Sequence, residues 1–244
     1  MFSGNDESVK YIGSVSPATG GDLALEALLK ETRRFMVLVI DFVVSSFGNA
    51  PIVIRKEVDK TFMGKTFVEK YEYLKQIHGE MHAYSIRFNK ASLNADEHEL
   101  LDRINSSIRN SMFAAKSIKD SHQDIDQFKN SSNDVKYQLY VHRSEELKKF
   151  YERLAALLLK PEGYNAFEDM VAIYNAVQVA YTEELNNLYK EGMDANLSDV
   201  EISTLINFNR EIYNSYKAIV WATKDYLLDK DQAKYFGELP GFIR

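Results

Sequence analysis

Four polar residues near the middle of the chain form the most promising pattern for metal chemistry: Asp120, His122, Asp124 and Asp126. On a continuous helix, Asp120 shares a face with Asp124, because residues four positions apart lie one above the other. His122 and Asp126 share the adjacent face in the same way. Carboxylate and imidazole groups arranged like this can bind one metal ion. Short polar side chains near a helix end are also common without any ligand, so a solvated surface is the alternative interpretation.

A second group of acidic and histidine residues occurs earlier in the chain. They lie to the sides of the apolar face of a predicted helix, which favours a surface location over a binding site. The group comprises Glu69, Glu72, His78, Glu80 and His82.

Other familiar catalytic patterns are missing from the sequence. The chain has no cysteine, which excludes disulfides, thiolate zinc sites and cysteine nucleophiles. It has no glycine-flanked serine of the nucleophile-elbow type and no complete phosphate-binding P-loop. We therefore expect a protein without enzymatic activity, and a metal-dependent helical enzyme that uses the Asp120 group is the alternative.

The composition indicates one large domain or two small ones. The chain has 244 residues, of which 45% are apolar, and a formal net charge of −6. Its Lys and Arg residues do not form the basic stripe that nucleic acids require, so we expect no nucleic-acid partner. The most apolar run, residues 35–44, contains Asp41 and is too short to cross a membrane. The lack of cysteine suits a reducing compartment such as the cytoplasm.

Six segments carry apolar residues at helical spacing, and the few prolines and glycines fall between them. Asn94 with Glu97, and Ser198 with Glu201, have the spacing of capping boxes and predict where two helices begin. Asp22 is the predicted N-cap of the first helix. The predicted helices cover 23–47, 67–88 with a start left open between 52 and 60, 95–128, 137–158, 167–188 with Gly192 as its stop, and 199–227.

The six helices divide into two units of three, and a short internal repeat supports the division. The segment Ile108–Met112 matches Ile212–Tyr216 at a shift of 104 positions, which places Asn110 on Asn214. We predict an all-α fold of two tandem antiparallel three-helix bundles. Its predicted parts are a flexible lead-in over 1–22, a first unit over 23–133, a second unit over 134–230, and a C-terminal tail over 231–244.

Two stretches of sequence resemble a known family. The run Ser111–Asp120, SMFAAKSIKD, is similar to the matching helix of the PhoU-like domains that follow bacterial sodium/phosphate cotransporters. The segment Tyr11–Pro17, followed by Leu23–Glu26 and Glu31–Met36, resembles the junction between that family's last membrane helix and its first cytosolic helix. The resemblance covers about residues 11–230.

The resemblance implies a PhoU-like fold and a regulatory role. The domain would lie in the cytoplasm at the inner face of the cell membrane and act through protein contacts in sodium-dependent phosphate transport. Its partner would be the membrane region of the transporter on the same polypeptide, and a homodimer is left open. A free-standing PhoU-type regulator of phosphate uptake and signalling is the alternative.

The sequence departs from the family at its metal ligands. Stand-alone PhoU proteins usually carry Glu-Arg-x-x-Asp in the third helix of each unit, and its carboxylates hold iron or zinc clusters. Lys116 stands where the first glutamate would lie, and only Asp120 is kept. Val220 and Lys224 take the two places in the second unit. Because an ammonium group has no lone pair for a metal and repels cations, we expect no such cofactor.

The substitution Lys116→Glu tests this ligand assignment. It restores the family's glutamate four residues before Asp120, so both carboxylates would share a helix face. We expect the variant to bind divalent or ferric ions more tightly than the natural protein, as measured by calorimetric titration and metal analysis. Equal and tight uptake by both forms would contradict the assignment.

Overall fold

The computed structural model describes residues 8–17, 21–88, 93–194 and 197–239, with the side chains of 188, 189 and 191–194 left out. All regular secondary structure in these ranges is helical, which confirms the all-α prediction. Within the same ranges, no helix combines the length and hydropathy that crossing a bilayer requires. The helices are α1 Gly21–Ser46, α2 Lys60–Met63, α3 Phe67–Ser85, α4 Ala95–Asp120, α5 His122–Lys129, α6 Asp134–Leu158, α7 Phe167–Asp194, α8 Asp199–Leu227 and α9 Lys230–Gly237.

Both predicted capping boxes are present. The Asn94 side chain accepts hydrogen bonds from the backbone N–H groups at the start of α4, and Glu97 accepts from the Asn94 N–H at 2.6 Å. Ser198 and Glu201 make the same exchange at the start of α8. The predicted N-cap of the first helix is wrong, because Asp22 lies inside the first turn of α1. Its carboxylate interacts favourably there with the positive end of the helix dipole.

Helix α1 is buried through its middle on all sides. Every residue from Phe35 to Val44 is buried, because α3, α4 and α6 all pack around this helix. Asp41 lies inside this apolar run, and Lys70 on α3 donates a hydrogen bond to its carboxylate at 2.6 Å. The most apolar run of the sequence is therefore the centre of the core, with its one charge paired.

Helices α4 and α8 pack against each other more extensively than any other pair, and α1 and α3 also pack on α4. The shift of 104 positions relates the two helices far beyond the short repeat, since it places the N-cap Asn94 on the N-cap Ser198. At this shift in sequence, buried positions of α4 correspond to buried positions of α8. These pairs are Leu101 and Leu205, Ile104 and Phe208, Ile108 and Ile212, Ser111 and Ser215, Ala115 and Ile219, and Ile118 and Ala222.

The third predicted helix is not continuous to residue 128. It breaks at Ser121, where α4 ends and α5 begins. The Ser121 hydroxyl donates to the Ser117 carbonyl at 2.9 Å, a local bond that commonly bends helices. After the break, Ile125 and Phe128 are buried, and α5 packs on α6.

Two other predicted boundaries also differ. Helix α7 continues through Gly192 to Asp194, so this glycine does not end it. The segment assigned to a C-terminal tail contains all of α9 except Lys230, and this helix begins after the N-cap Asp229. Phe236 of α9 is fully buried, and its ring centroid lies 5.6 Å from that of Tyr174 on α7. This contact packs α9 against α7.

Buried hydrogen bonds connect the two halves of the chain. The Ser215 hydroxyl on α8 donates to the Ala114 carbonyl on α4 at 2.9 Å. Because Ser215 has only one hydrogen to give, the Tyr151 hydroxyl on α6 must be the donor in its 2.5 Å bond with Ser215. Tyr140 on α6 also donates to the Phe47 carbonyl at the end of α1, at 2.9 Å.

The substitution Ser215→Ala tests this connection. It leaves the buried Tyr151 hydroxyl without a partner, so we expect a loss of about 1–3 kcal/mol in the free energy of unfolding, measured in urea. Adding Tyr151→Phe removes the orphaned hydroxyl, and the double variant should be less destabilised than the sum of the two single changes. Strictly additive losses would show that the two hydroxyls do not depend on each other.

Candidate functional site

The four residues predicted to bind a metal do not converge. The break at Ser121 places Asp120 at the end of α4 and the other three on α5. Lys116 donates a hydrogen bond to Asp120, and Lys119 donates to it at 3.3 Å. Partial burial opposes these two bonds, but they outweigh it and lower the pKa of Asp120. This carboxylate is therefore already paired with two cations.

His122 is the most confined member of the group. Its ring stacks on Phe67 with centroids 3.7 Å apart, and its Nδ1 is buried without a hydrogen-bond partner among the described residues. Its Nε2 lies 3.5 Å from Asp126. Asp124 points to no described cation, and burial raises its pKa. The structure brings His122 and Asp126 together, and no three of the four predicted residues lie close enough to share one ion within the described ranges.

A different group of titratable residues comes together on α6 and α7: His142, Glu146 and Glu184. Their ligand atoms all lie within 4.8 Å of one another, and no other such group of three occurs in the part of the chain that the structure describes. His142 Nε2 lies 3.4 Å from Glu146 Oε1 and 3.3 Å from Glu184 Oε1. These separations are too long for good hydrogen bonds.

Arg143 determines the electrostatics of this group. It donates to the second oxygen of Glu146 at 2.9 Å and to the second oxygen of Glu184. Arg143 is 3% exposed, so the attraction acts with little solvent screening. The three ligand atoms could hold a cation only in competition with this positive charge. Its present role is to bind α6 to α7 by a buried ion pair.

The sequence signalled only part of this group. His142 and Glu146 are four positions apart on a predicted helix, but Glu184 comes from another helix and no local pattern links it to them. Contact between α6 and α7 is sparse elsewhere, so the position of Glu184 depends on how both helices rest on α8.

Next to this group, α6, α7 and α8 line a half-open cavity of about 220 Å³. Its walls are mostly apolar and aromatic. Tyr181 and Tyr213 stack with their ring centroids 3.9 Å apart. The ring centroids of Phe150 and Tyr216 lie 4.2 Å apart. The lining residues are Arg143, Glu146, Lys149, Phe150, Arg153, Ile173, Ala176, Val177, Ala180, Tyr181, Asn209, Ile212, Tyr213 and Tyr216.

Two polar groups of the cavity lining lack hydrogen bonds. Asn209 is 4% exposed and its Nδ2 has no partner, and the buried hydroxyl of Tyr216 has none within the described ranges. Burial raises the pKa of Tyr216, and the nearby Arg143 only partly opposes the effect. Tyr216 therefore stays protonated as a hydrogen-bond donor at neutral pH. Apolar walls with a few polar groups are typical of small-molecule sites.

Tyr216 recurs at helical spacing with Ile212 and Ile219, which is typical of core packing. Tyr216 is packed as expected, with its ring near Phe150 and Tyr151, but its hydroxyl is not satisfied by that packing. No local signal distinguishes such a tyrosine from one with a partner, so the cavity could not be predicted from spacing.

Comparison with protein-family models, curated proteins and solved structures found no match for this chain.

The substitution Arg143→Met tests the ion pair that joins α6 to α7. It leaves Glu184 buried without its cation, so we expect a loss of about 3 kcal/mol in the free energy of unfolding, measured by urea denaturation. Arg153→Met is the matched control, since it removes an exposed cation from the same helix and should cost less than about 1 kcal/mol. Equal losses in both variants would mean that the buried pair contributes no more than a surface charge.

Proposed function

We propose that the chain is a PhoU-like regulatory domain without catalytic activity, which acts on a sodium-dependent phosphate cotransporter through protein contacts. The observation that supports this most is the correspondence between α4 and α8. Their N-caps and buried positions repeat at a shift of 104 positions, as expected for two tandem units that each end in an equivalent third helix. The resemblance of the run 111–120 to the cotransporter-linked family adds the functional assignment.

In this proposal α1, α3 and α4 form the first three-helix unit, and α6, α7 and α8 form the second. The two units share the interface between α4 and α8, which makes them one body. The domain would lie at the cytoplasmic face of the membrane, on the same polypeptide as the transporter. A free-standing regulator is the alternative. Whether the native gene encodes a membrane region upstream of Met1 distinguishes the two hypotheses.

A groove between α4 and α8 is the surface that best suits such contacts. Phe113 is 51% exposed there, and Arg109 and Lys217 lie beside it. Ala218 and Trp221 also line this groove. An exposed aromatic ring flanked by cations is typical of a protein contact that buries the ring and pairs the charges at its rim. Tethering to the transporter would make even a weak contact effective.

Deletion of residues 23–244 from the cotransporter that carries this domain tests the proposal. We expect sodium-driven phosphate uptake to persist but to lose its dependence on phosphate supply, because the transporter would lack its regulator. The measurement is uptake by cells grown over a range of phosphate concentrations, with membrane insertion checked in parallel.

Two point variants sharpen this experiment. Phe113→Ser should reproduce part of the deletion effect, whereas Val179→Ser, which changes an exposed residue of α7 that is 57% accessible, should not. Unchanged regulation after the deletion would refute a regulatory role. Complete loss of inserted transporter would indicate a folding or assembly role instead.

A further inference from the structure

The ion pairs that join α6 to α7 use only one oxygen of each carboxylate. Arg143 donates to Oε2 of Glu146 at 2.9 Å and to Oε2 of Glu184. Oε1 of each residue accepts no hydrogen bond from the described part of the chain. Both of these oxygens keep some solvent-accessible surface, because neither belongs to the fully buried polar atoms that lack a hydrogen bond. Each is therefore an accessible, negatively charged acceptor.

His142 of α6 faces the same two oxygens. Its Nε2 lies 3.4 Å from Glu146 Oε1 and 3.3 Å from Glu184 Oε1, and all three atoms lie within 4.8 Å of one another. The His142 side chain is 56% exposed, so this side of the group is open to solvent. Three ligand atoms from two helices thus surround one accessible point.

The separations match those between two ligands of one metal ion. Zinc binds imidazole nitrogen and carboxylate oxygen at about 2.0–2.2 Å, and tetrahedral angles then place two ligand atoms about 3.4 Å apart. Both contacts of His142 Nε2 have this length. The third separation, between the two oxygens, is at most 4.8 Å, and a turn of the half-buried Glu146 carboxylate shortens it.

Arg143 opposes a cation here but does not cancel the two carboxylates. Two carboxylates and one guanidinium leave one net negative charge beside a neutral imidazole. Because Arg143 holds Oε2 of Glu146 and of Glu184, it also orients their Oε1 atoms towards His142. Carboxylates that bind metals are commonly held by a hydrogen bond to another group in this way. The arginine therefore lowers the affinity for a cation and fixes the ligand geometry.

The donor atoms distinguish between ions. Calcium takes about six to eight oxygen ligands, and magnesium keeps several waters and prefers oxygen. Imidazole nitrogen suits zinc and its neighbours among the transition metals. One imidazole and two carboxylates are three protein ligands, which leaves a fourth tetrahedral position for water on the exposed side of His142.

We propose that His142, Glu146 and Glu184 bind a divalent transition-metal ion of the zinc type. The ion would link α6 to α7, which have few other direct contacts, so its occupancy would determine how firmly α7 is held on α6. The site is separate from the ligand positions on α4 and α8 that the PhoU resemblance implied. The inference does not depend on the proposed action on a transporter.

Calorimetric titration of the metal-free full chain with zinc and with magnesium tests the site. We expect one zinc ion per chain and no measurable magnesium binding at the same concentrations. His142→Gln removes one of three ligands and should weaken zinc binding at least about tenfold. Failure of the natural protein to bind zinc at submillimolar concentration would overturn the proposal.

His82→Gln is the matched control. His82 is an exposed histidine on α3, four positions after His78, so this pair offers zinc an alternative place on a helix surface. The control variant should bind zinc as the natural protein does. Loss of zinc binding in His82→Gln but not in His142→Gln would place the ion on α3 and overturn the assignment.

Thermal unfolding provides a second readout. Without metal, His142→Gln should unfold at the natural midpoint, because the exposed ring makes no hydrogen bond with the described residues. Free zinc at about a hundred times its dissociation constant should raise the midpoint of the natural protein by about 5–10 °C. The same zinc concentration should leave the midpoint of His142→Gln nearly unchanged. An equal rise in both proteins would show that the ion binds elsewhere.

Discussion

The close packing of α4 on α8 is the contact on which the other helices depend. Small residues at the interface allow the two backbones to approach, so that the Ser215 side chain reaches the Ala114 carbonyl at 2.9 Å. Ser111 and Ala115 are fully buried on the same side of α4. Because α1 and α3 rest on α4 while α7 rests on α8, this one contact sets the relative position of the two halves. A larger residue at Ser215 would have to push these helices apart.

Buried ion pairs join two further pairs of helices. Asp41 with Lys70 joins α1 to α3, and Arg143 with Glu184 joins α6 to α7 with the two charges exchanged. Such buried pairs add little net stability over apolar residues, but breaking one leaves a costly lone charge. They therefore favour one arrangement of neighbouring helices over shifted alternatives. In the second half this matters more, because α6 and α7 have few other direct contacts.

The interior of the second half is more open than that of the first. Helices α1 and α3 pack directly against each other, whereas α6 and α7 make few direct contacts and leave a cavity beside α8. Buried polar atoms without hydrogen bonds occur in both halves of the described chain, at Tyr84 and His122 in the first and at Asn209 and Tyr216 in the second. Each such atom lowers stability, because it loses its hydrogen bonds to water without a replacement.

The sequence by itself determined the helical class, most helix limits and both predicted capping boxes, because these depend on residues a few positions apart. Asn94 with Glu97 is such a case, since the interaction is complete within one turn of helix. The pairing of Arg143 with Glu184 and the unpaired hydroxyl of Tyr216 were decided only by the tertiary structure. Each depends on which distant helix lies alongside, and helical periodicity shows which face is buried but not which partner covers it.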